Sequence, residues 1–285
     1  MIAAGDAMET DCAATAGAPL FDLALHSDVG TGRAGNEDSC GQLVENERTA
    51  LFVVADGVGG YEGGEIASAI AVEATLNAFR DSPAAWGPAK RLYRAVQNAN
   101  IAIHNKALVV PELRRMATTC TAVAIAADDG MLHAAHVGDC RLYLIRERQV
   151  EQLSRDHTVI GERVRMGLLS AERARNHPDR SALSRCLGQD LIASIDQITI
   201  PLRRDDRIVI CSDGLWSVVE EHEVERITRA GAAAELCRRL VEEANRRGTP
   251  DNLTVGIFRM HAEGATAARR RGWRERLAAI LGLGR

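Results

Sequence analysis

Four β-favouring runs crowd into residues 118–127, 131–137, 140–146 and 149–153, separated by little more than DDG, VGD and the charged pair Glu147–Arg148. Strands so closely spaced have room only to turn back on their neighbours, and the reading is an antiparallel meander. Further strand signals lie at FDLALHSD from Phe21, at 50–56, at 194–200, at 206–211 and at 253–260. Helical spacing covers 63–80, 88–108, about 220–229 and 231–247. Strands thus cluster with strands and helices come in pairs, which predicts an α+β layered sandwich and not alternating βαβ units. Residues 155–190 are polar, helix-prone in pieces and poor in strand signal.

The chain of 285 residues is 46% hydrophobic, enough for a sizeable core. Its net charge of -4 argues against a protein that coats nucleic acid. Seven cysteines without a CxxC pair make a zinc site or disulfide framework improbable and fit reduced thiols in a cytoplasmic setting. No apolar stretch is long enough to span a bilayer. Residues 1–19 read as a flexible leader, without the basic start of a secretory signal.

The carboxylates recur in one kind of place. In LFVVADGVGG an apolar strand ends at Asp56, followed by Gly57. DRIVICSDGLW repeats the arrangement at Asp213, and TPDNLTVGIF puts Asp251 just before a strand. HAAHVGDCRLYLI sets Asp139 in a tight turn, and NEDS sets Glu37 and Asp38 at the end of the first strand region. A single Asp-Gly at a strand end is an ordinary turn. If these ends converge, however, five or six acidic groups meet, and their repulsion worsens with burial.

Hard divalent cations resolve that conflict. An all-oxygen set without His or Cys favours Mg²⁺ or Mn²⁺ over Zn²⁺. Gly57 lets the backbone approach closely, so that its carbonyl can also serve as a ligand. Two such ions commonly activate water and clamp a phosphoryl group. Arg33, five residues before Asp38 in the same loop, can bind phosphate bidentately or remain a solvated charge. There is no GxSxG elbow to supply a side-chain nucleophile.

SDVGTGRAGNEDS, FVVADGVGG, MATTCTAVAI, HVGDCRLYLI, the segment RDHTVIGERVRMGLLSAERARNHPDRSALSRCLG, VICSDGL and TPDNLTVGIF together resemble, in order and from about residue 22 to 260, the motifs of the metal-dependent Ser/Thr protein phosphatases of type 2C in their bacterial form. The resemblance implies a four-layer α-β-β-α sandwich with two central antiparallel sheets. It implies that Asp56 bridges two metals, that Gly57 ligates through its carbonyl, and that Asp213 and Asp251 complete the first site. Glu37 and Asp38 would act at the second site or through its waters, and Asp139 would share a third, weaker metal with Asp213. Arg33 falls on the phosphate-binding arginine, and residues 155–190 on a mobile flap. Val58 departs from the pattern, because some members carry there a His that acts as general acid. His157 and His177 are weaker candidates for that proton, each read first as a loop hydrogen bond. Thr118 and Thr119 read as strand-start residues, and Asn252 as support for the Asp251 loop.

The expected organisation is a leader (1–19), a catalytic domain (20–262) and a basic amphipathic tail (263–285) ending in RERLAAILGLGR. That tail suits a peripheral membrane or partner contact, or simple packing on the domain. The expected activity is hydrolysis of phosphoserine and phosphothreonine on protein substrates by a metal-activated water, reversing a cognate Ser/Thr kinase. The expected state is a monomer without nucleic acid. A catalytically inactive phosphoprotein-binding module of the same fold is the alternative, and the complete carboxylate set speaks against it.

Overall fold

The computed structural model describes residues 20–261 except 47, 59–62, 84, 127–129 and 176. The expected leader and tail lie outside the described residues. Strand β3 (Thr49–Asp56) shows why the chain forms layers. Its residues Leu51, Val53 and Ala55 pack with helices α1 (Gly64–Arg80) and α2 (Pro88–Val109), while Phe52 and Val54 point into the core between two sheets. A strand covered on both faces loses polar alternation and reads as one apolar run.

Two five-stranded antiparallel sheets face each other. One has the order β2 (Asp38–Asn46), β3, β4 (Cys120–Ala126), β5 (Met131–Val137), β8 (Asp196–Pro201). The other has β1 (Phe21–Asp28), β10 (Leu253–Met260), β9 (Arg207–Cys211), β6 (Arg141–Arg146), β7 (Gln149–Gln152). Helices α1 and α2 cover the first sheet. Short helices α5 (Asp213–Trp216) and α6 (Glu221–Ile227), with α7 (Ala233–Arg246), cover the second. Between the sheets, Phe52, Ile125, Leu142, Ile210 and Phe258 are completely buried. Each such side chain contributes about 1.5–3 kcal/mol. The four-layer α-β-β-α expectation holds. Helices α3 (Val159–Arg165) and α4 (Ala171–Arg175) belong to the segment between β7 and β8.

Two expectations change. The four crowded runs are not one meander: β4–β5 is a hairpin of the first sheet and β6–β7 a hairpin of the second. The chain changes layer at Gly138–Asp139–Cys140, where Gly138 has φ +110° and a Cβ would come within 2.4 Å of Thr119. The sequence pattern carries no clear signal for β2, which is why Glu37 and Asp38 are expected at the end of the first strand region. β1 instead ends at Asp28, and Asp38 opens the next strand. The sequence SCGQLVEN lacks β-branched density because Gly41 lies directly beneath α1. A Cβ there would meet Val72 and Leu76 at 2.7 and 2.9 Å.

Candidate active site

Strand order brings the carboxylates to one end of the sandwich. Asp38 opens β2 and Asp56 closes β3, and the two are directly opposed in the antiparallel ladder, an arrangement that like charges ordinarily destabilise. Asp139 arrives on the layer change after β5, and Asp213 follows β9 as the first residue of α5. Burial, then the charges of Asp38, Asp213 and Asp139, push Asp56 well above the ordinary carboxylate range. Burial, then Asp139 and Asp251, do the same to Asp213. Asp38 is raised to about 6 and Asp139 to about 7, with burial the largest cause for each.

Asp38 Oδ1 and Asp213 Oδ1 are buried without a hydrogen-bond partner. An ionised oxygen in that position is costly unless a donor or a cation meets it. The donors here are all oxygen, which suits a hard divalent ion. Among the described residues no three His, Cys, Asp or Glu side chains close into a ready-made ligand shell. The carboxylates are therefore coupled electrically without forming a cage, an arrangement compatible with ions that keep several waters. The residues present thus fit divalent metal.

The other expected residues lie on the same end. The Gly57 N–H donates to the Glu37 carbonyl at 3.1 Å, and Gly57 packs so closely on the start of α1 that a Cβ would meet Gly64 backbone at 2.5 Å. Burial raises Glu37. Arg33 Nη2 donates to Asp251 Oδ2 at 2.8 Å, and the Arg33 side chain is 42% exposed, so the guanidinium faces solvent beside the carboxylates. Its hydrogen bond to Asp251 raises its pKa further, so that it stays charged.

Several side chains that hold this end were not singled out for that role. Thr118 Oγ1 donates to the Asp56 carbonyl at 2.8 Å, and Thr119 Oγ1 accepts from the Asp56 N–H at 2.9 Å. These two threonines do more than start a strand: they clamp the Asp56 backbone from both sides. Ser212 Oγ donates to Asp38 Oδ2 at 2.7 Å. Trp216 Nε1 donates to the Asp139 carbonyl at 3.0 Å. The available signal is a pair of threonines opening one apolar run and a lone serine closing another, each where a carboxylate is expected nearby. Asn252 supports its loop as expected and more widely. Its side chain donates to the carbonyls of Val29 and Gly35, both at 2.8 Å, and accepts from the Glu37 N–H at 2.8 Å. One amide therefore ties the Asp251 turn to the loop carrying Arg33.

His157 and His177, both in the segment between β7 and β8, are occupied locally. His177 Nδ1 accepts from the Asp179 N–H at 3.1 Å within its own turn. His157 is buried, with Nδ1 accepting from the Gly138 N–H at 3.1 Å and Nε2 lying 3.3 Å from Asp196 Oδ2. With both ring nitrogens engaged, His157 has no free proton to give a leaving group.

Comparison with known proteins accords with this geometry. The family model described as protein phosphatase 2C matches residues 31–254. The serine/threonine phosphatase stp of Listeria innocua is 33% identical over 240 residues, which cover 81% of this chain and 92% of that one. The serine/threonine protein phosphatase PstP of Mycobacterium tuberculosis is 36% identical over 84% of this chain, and the match spans 45% of PstP. A crystal structure of the PstP catalytic domain in complex with two manganese ions superposes with a TM-score of 0.74 at 32% identity, covering 85% of this chain and 99% of that one. The motifs in order, the paired sheets and the acidic end between them have one common source: the chain belongs to the protein phosphatase 2C family.

Proposed function

We propose that this chain is a metal-dependent protein phosphatase that hydrolyses phosphoserine and phosphothreonine on protein substrates. The observation that carries the reading is the convergence of Asp38, Asp56, Asp139 and Asp213, each raised chiefly by burial and with two buried oxygens unpartnered, beside an exposed arginine. Family membership supports an active enzyme over an inactive binding module.

In this reading Asp56, the Gly57 carbonyl, Asp213 and Asp251 would hold the two main cations, with Glu37 and Asp38 assisting directly or through water. Asp139, with Asp213, serves a third and weaker site. Mn²⁺ or Mg²⁺ is the ion this donor set suits. When bound, such ions supply Lewis acidity that readies water and steadies the charge on the phosphoryl group. The chain's own residues do the rest. Arg33 receives the phosphoryl oxygens through its planar fork of donors. Thr118 and Thr119 keep Asp56 fixed to the end of β3. Asn252 sets the Arg33 loop relative to Asp251. Val58, where some relatives carry His, offers no proton, so the leaving alkoxide takes its proton from solvent at the site.

The proposal extends to domain limits of 20–262 with a flap at about 155–190, to a monomer, and to a cognate Ser/Thr kinase whose products this enzyme reverses. Titrating Mn²⁺ against a phosphothreonine peptide tests the reading. Phosphate release that rises with Mn²⁺ and stops on chelation is expected, and release unaffected by chelation refutes it.

A further inference from the structure

The segment between β7 and β8 is fastened to the active end at its base, and the fastening centres on one histidine. Chain entering and leaving that segment is clipped together: the Val159 N–H donates to the Ala182 carbonyl and the Ser184 N–H to the His157 carbonyl, both at 2.8 Å. The clip then rests on the layer change that carries Asp139. The His157 N–H donates to the Gly138 carbonyl at 2.8 Å, and the Gly138 N–H donates back to His157 Nδ1 at 3.1 Å. Because Nδ1 accepts, the ring proton sits on Nε2, which faces Asp196 Oδ2 at 3.3 Å. Asp196 is itself held by Arg185 at 3.0 Å. A second buried ring backs the first. His136 lies 4.8 Å away, centroid to centroid, accepts at Nδ1 from Thr121 Oγ1 at 2.8 Å, and donates from Nε2 to the Arg155 carbonyl at 2.9 Å.

The turn thus pinned has little other freedom. Gly138 sits at φ +110°, Trp216 holds the Asp139 carbonyl, and Thr119 Oγ1 meets Cys140 Sγ at 3.2 Å. The Gly138 N–H is the point in this turn where flap and carboxylate share a side-chain hydrogen bond. We propose that His157 is a positioning residue: its Nδ1, kept unprotonated by the Asp196 partner at Nε2, sets the Gly138 peptide and thereby the direction in which Asp139 presents its carboxylate. This rests on the reading of Asp139 as ligand of the weaker third cation. It ties occupancy of that site to the seating of the flap.

Calorimetric Mn²⁺ titration of the full chain tests this without measuring turnover. Wild type is expected to show tighter steps and one weaker step that D139N lacks. Asn places its side-chain oxygen where His157 Nδ1 stands, whereas Gln reaches the Nε2 position and leaves the Gly138 N–H without an acceptor. His157→Gln should therefore weaken the weak step by about 10- to 100-fold, the usual effect of losing a partner behind a metal ligand, with the tighter steps unchanged. His157→Asn should restore it. Asp196 is 35% exposed, so Asp196→Ala should fold even if the His157 variants do not. It frees the ring to carry its proton on Nδ1 and should weaken the same step, and Asp196→Asn should rescue it. A weak step unmoved in H157Q or D196A, weakened equally in H157Q and H157N, or moved only together with the tight steps, overturns the proposal. Wild type titrating like D139N removes the third-site reading instead, and this inference with it.

Discussion

Two groups of acidic side chains in this protein live in opposite electrostatic worlds. On the outer face of the second sheet, Glu223 and Glu243 are each held by arginines. Arg247 reaches Glu223 at 2.7 Å and Glu243 at 2.6 Å, and Arg246 reaches Glu243 at 2.7 Å. Hydrogen bonds from Arg247 hold Glu223 down to about 2, and those from Arg246 and Arg247 hold Glu243 down to about 2. At the end of the sandwich Asp38, Asp56, Asp139 and Asp213 are pushed up, chiefly by burial and also by neighbouring carboxylates. Carboxylates that stabilise a fold come with cations from the same chain. Those left without them stand where function needs a charge the chain does not itself neutralise.

The sharpest way to break this contrast is Asp56→Asn. Peptide hydrolysis with Mn²⁺ should fall by about three orders of magnitude or more, the scale of losing a member of a catalytic unit. The chelated variant should nonetheless melt at a higher temperature than chelated wild type above neutral pH, because a neutral amide ends the repulsion with Asp38. A variant that is both inactive and less stable would mean that the Asp56 carboxylate stabilises the fold instead of straining it.

Next comes pH. Raised carboxylates bind more protons folded than unfolded, so their stabilisation is complete below the ordinary value of 3.8 and is lost as pH rises through about 6 for Asp38 and about 7 for Asp139. His136 has the opposite sign. Burial lowers it to about 4, so its contribution is complete above its ordinary 6.5 and lost on acidification. Above that point only the carboxylate trend remains. Chelated protein should therefore melt at a lower temperature at about pH 8 than at about pH 6.5, and Mn²⁺ at a hundred times its Kd should add about 2.7 kcal/mol. A flat profile in chelator contradicts the repulsion.

Smaller effects sharpen the comparison further. Asn252→Ala removes three hydrogen bonds that align the Arg33 loop. Their partners sit on partly exposed loop backbone that water can reach, so the loss should be about 0.5–1.5 kcal/mol per bond at most, with KM for a phosphopeptide rising more than kcat falls. Arg247→Ala should change least. Its pairs with Glu223 and Glu243 are partly exposed and screened by solvent, so activity and Mn²⁺ binding should match wild type, and any loss of stability should shrink as pH falls from 4.5 towards 2, where Glu223 and Glu243 protonate.

Much of the candidate site was legible because several of its carboxylates carry a local mark. Asp56, Asp213 and Asp251 stand at the boundary of an apolar run beside glycine or proline, and the structure puts all of them, with Glu37, Asp38, Asp139 and Arg33, at one end. What stayed hidden has no such mark. Strand β2 was illegible because close helix packing selects small residues such as Gly41 over β-branched ones. The layer change at Gly138 looked like a hairpin because a three-residue turn is spelled alike whether the next strand pairs back or crosses over. The clamps Thr118, Thr119 and Ser212 act through hydrogen bonds to residues far along the chain, which local pattern does not encode.

The sequence by itself determined the chemistry on offer: which segments are apolar enough to be buried, and which oxygen-bearing residues end them, since solvation and backbone preference act residue by residue. Only the tertiary structure decided that Asp38 faces Asp56 across a ladder, that the β5–β6 turn changes sheets, and that His157 accepts a hydrogen bond from the Gly138 N–H. Those facts depend on which distant strands pair and how two sheets stack, and repulsion between carboxylates exists only once that packing has brought them together.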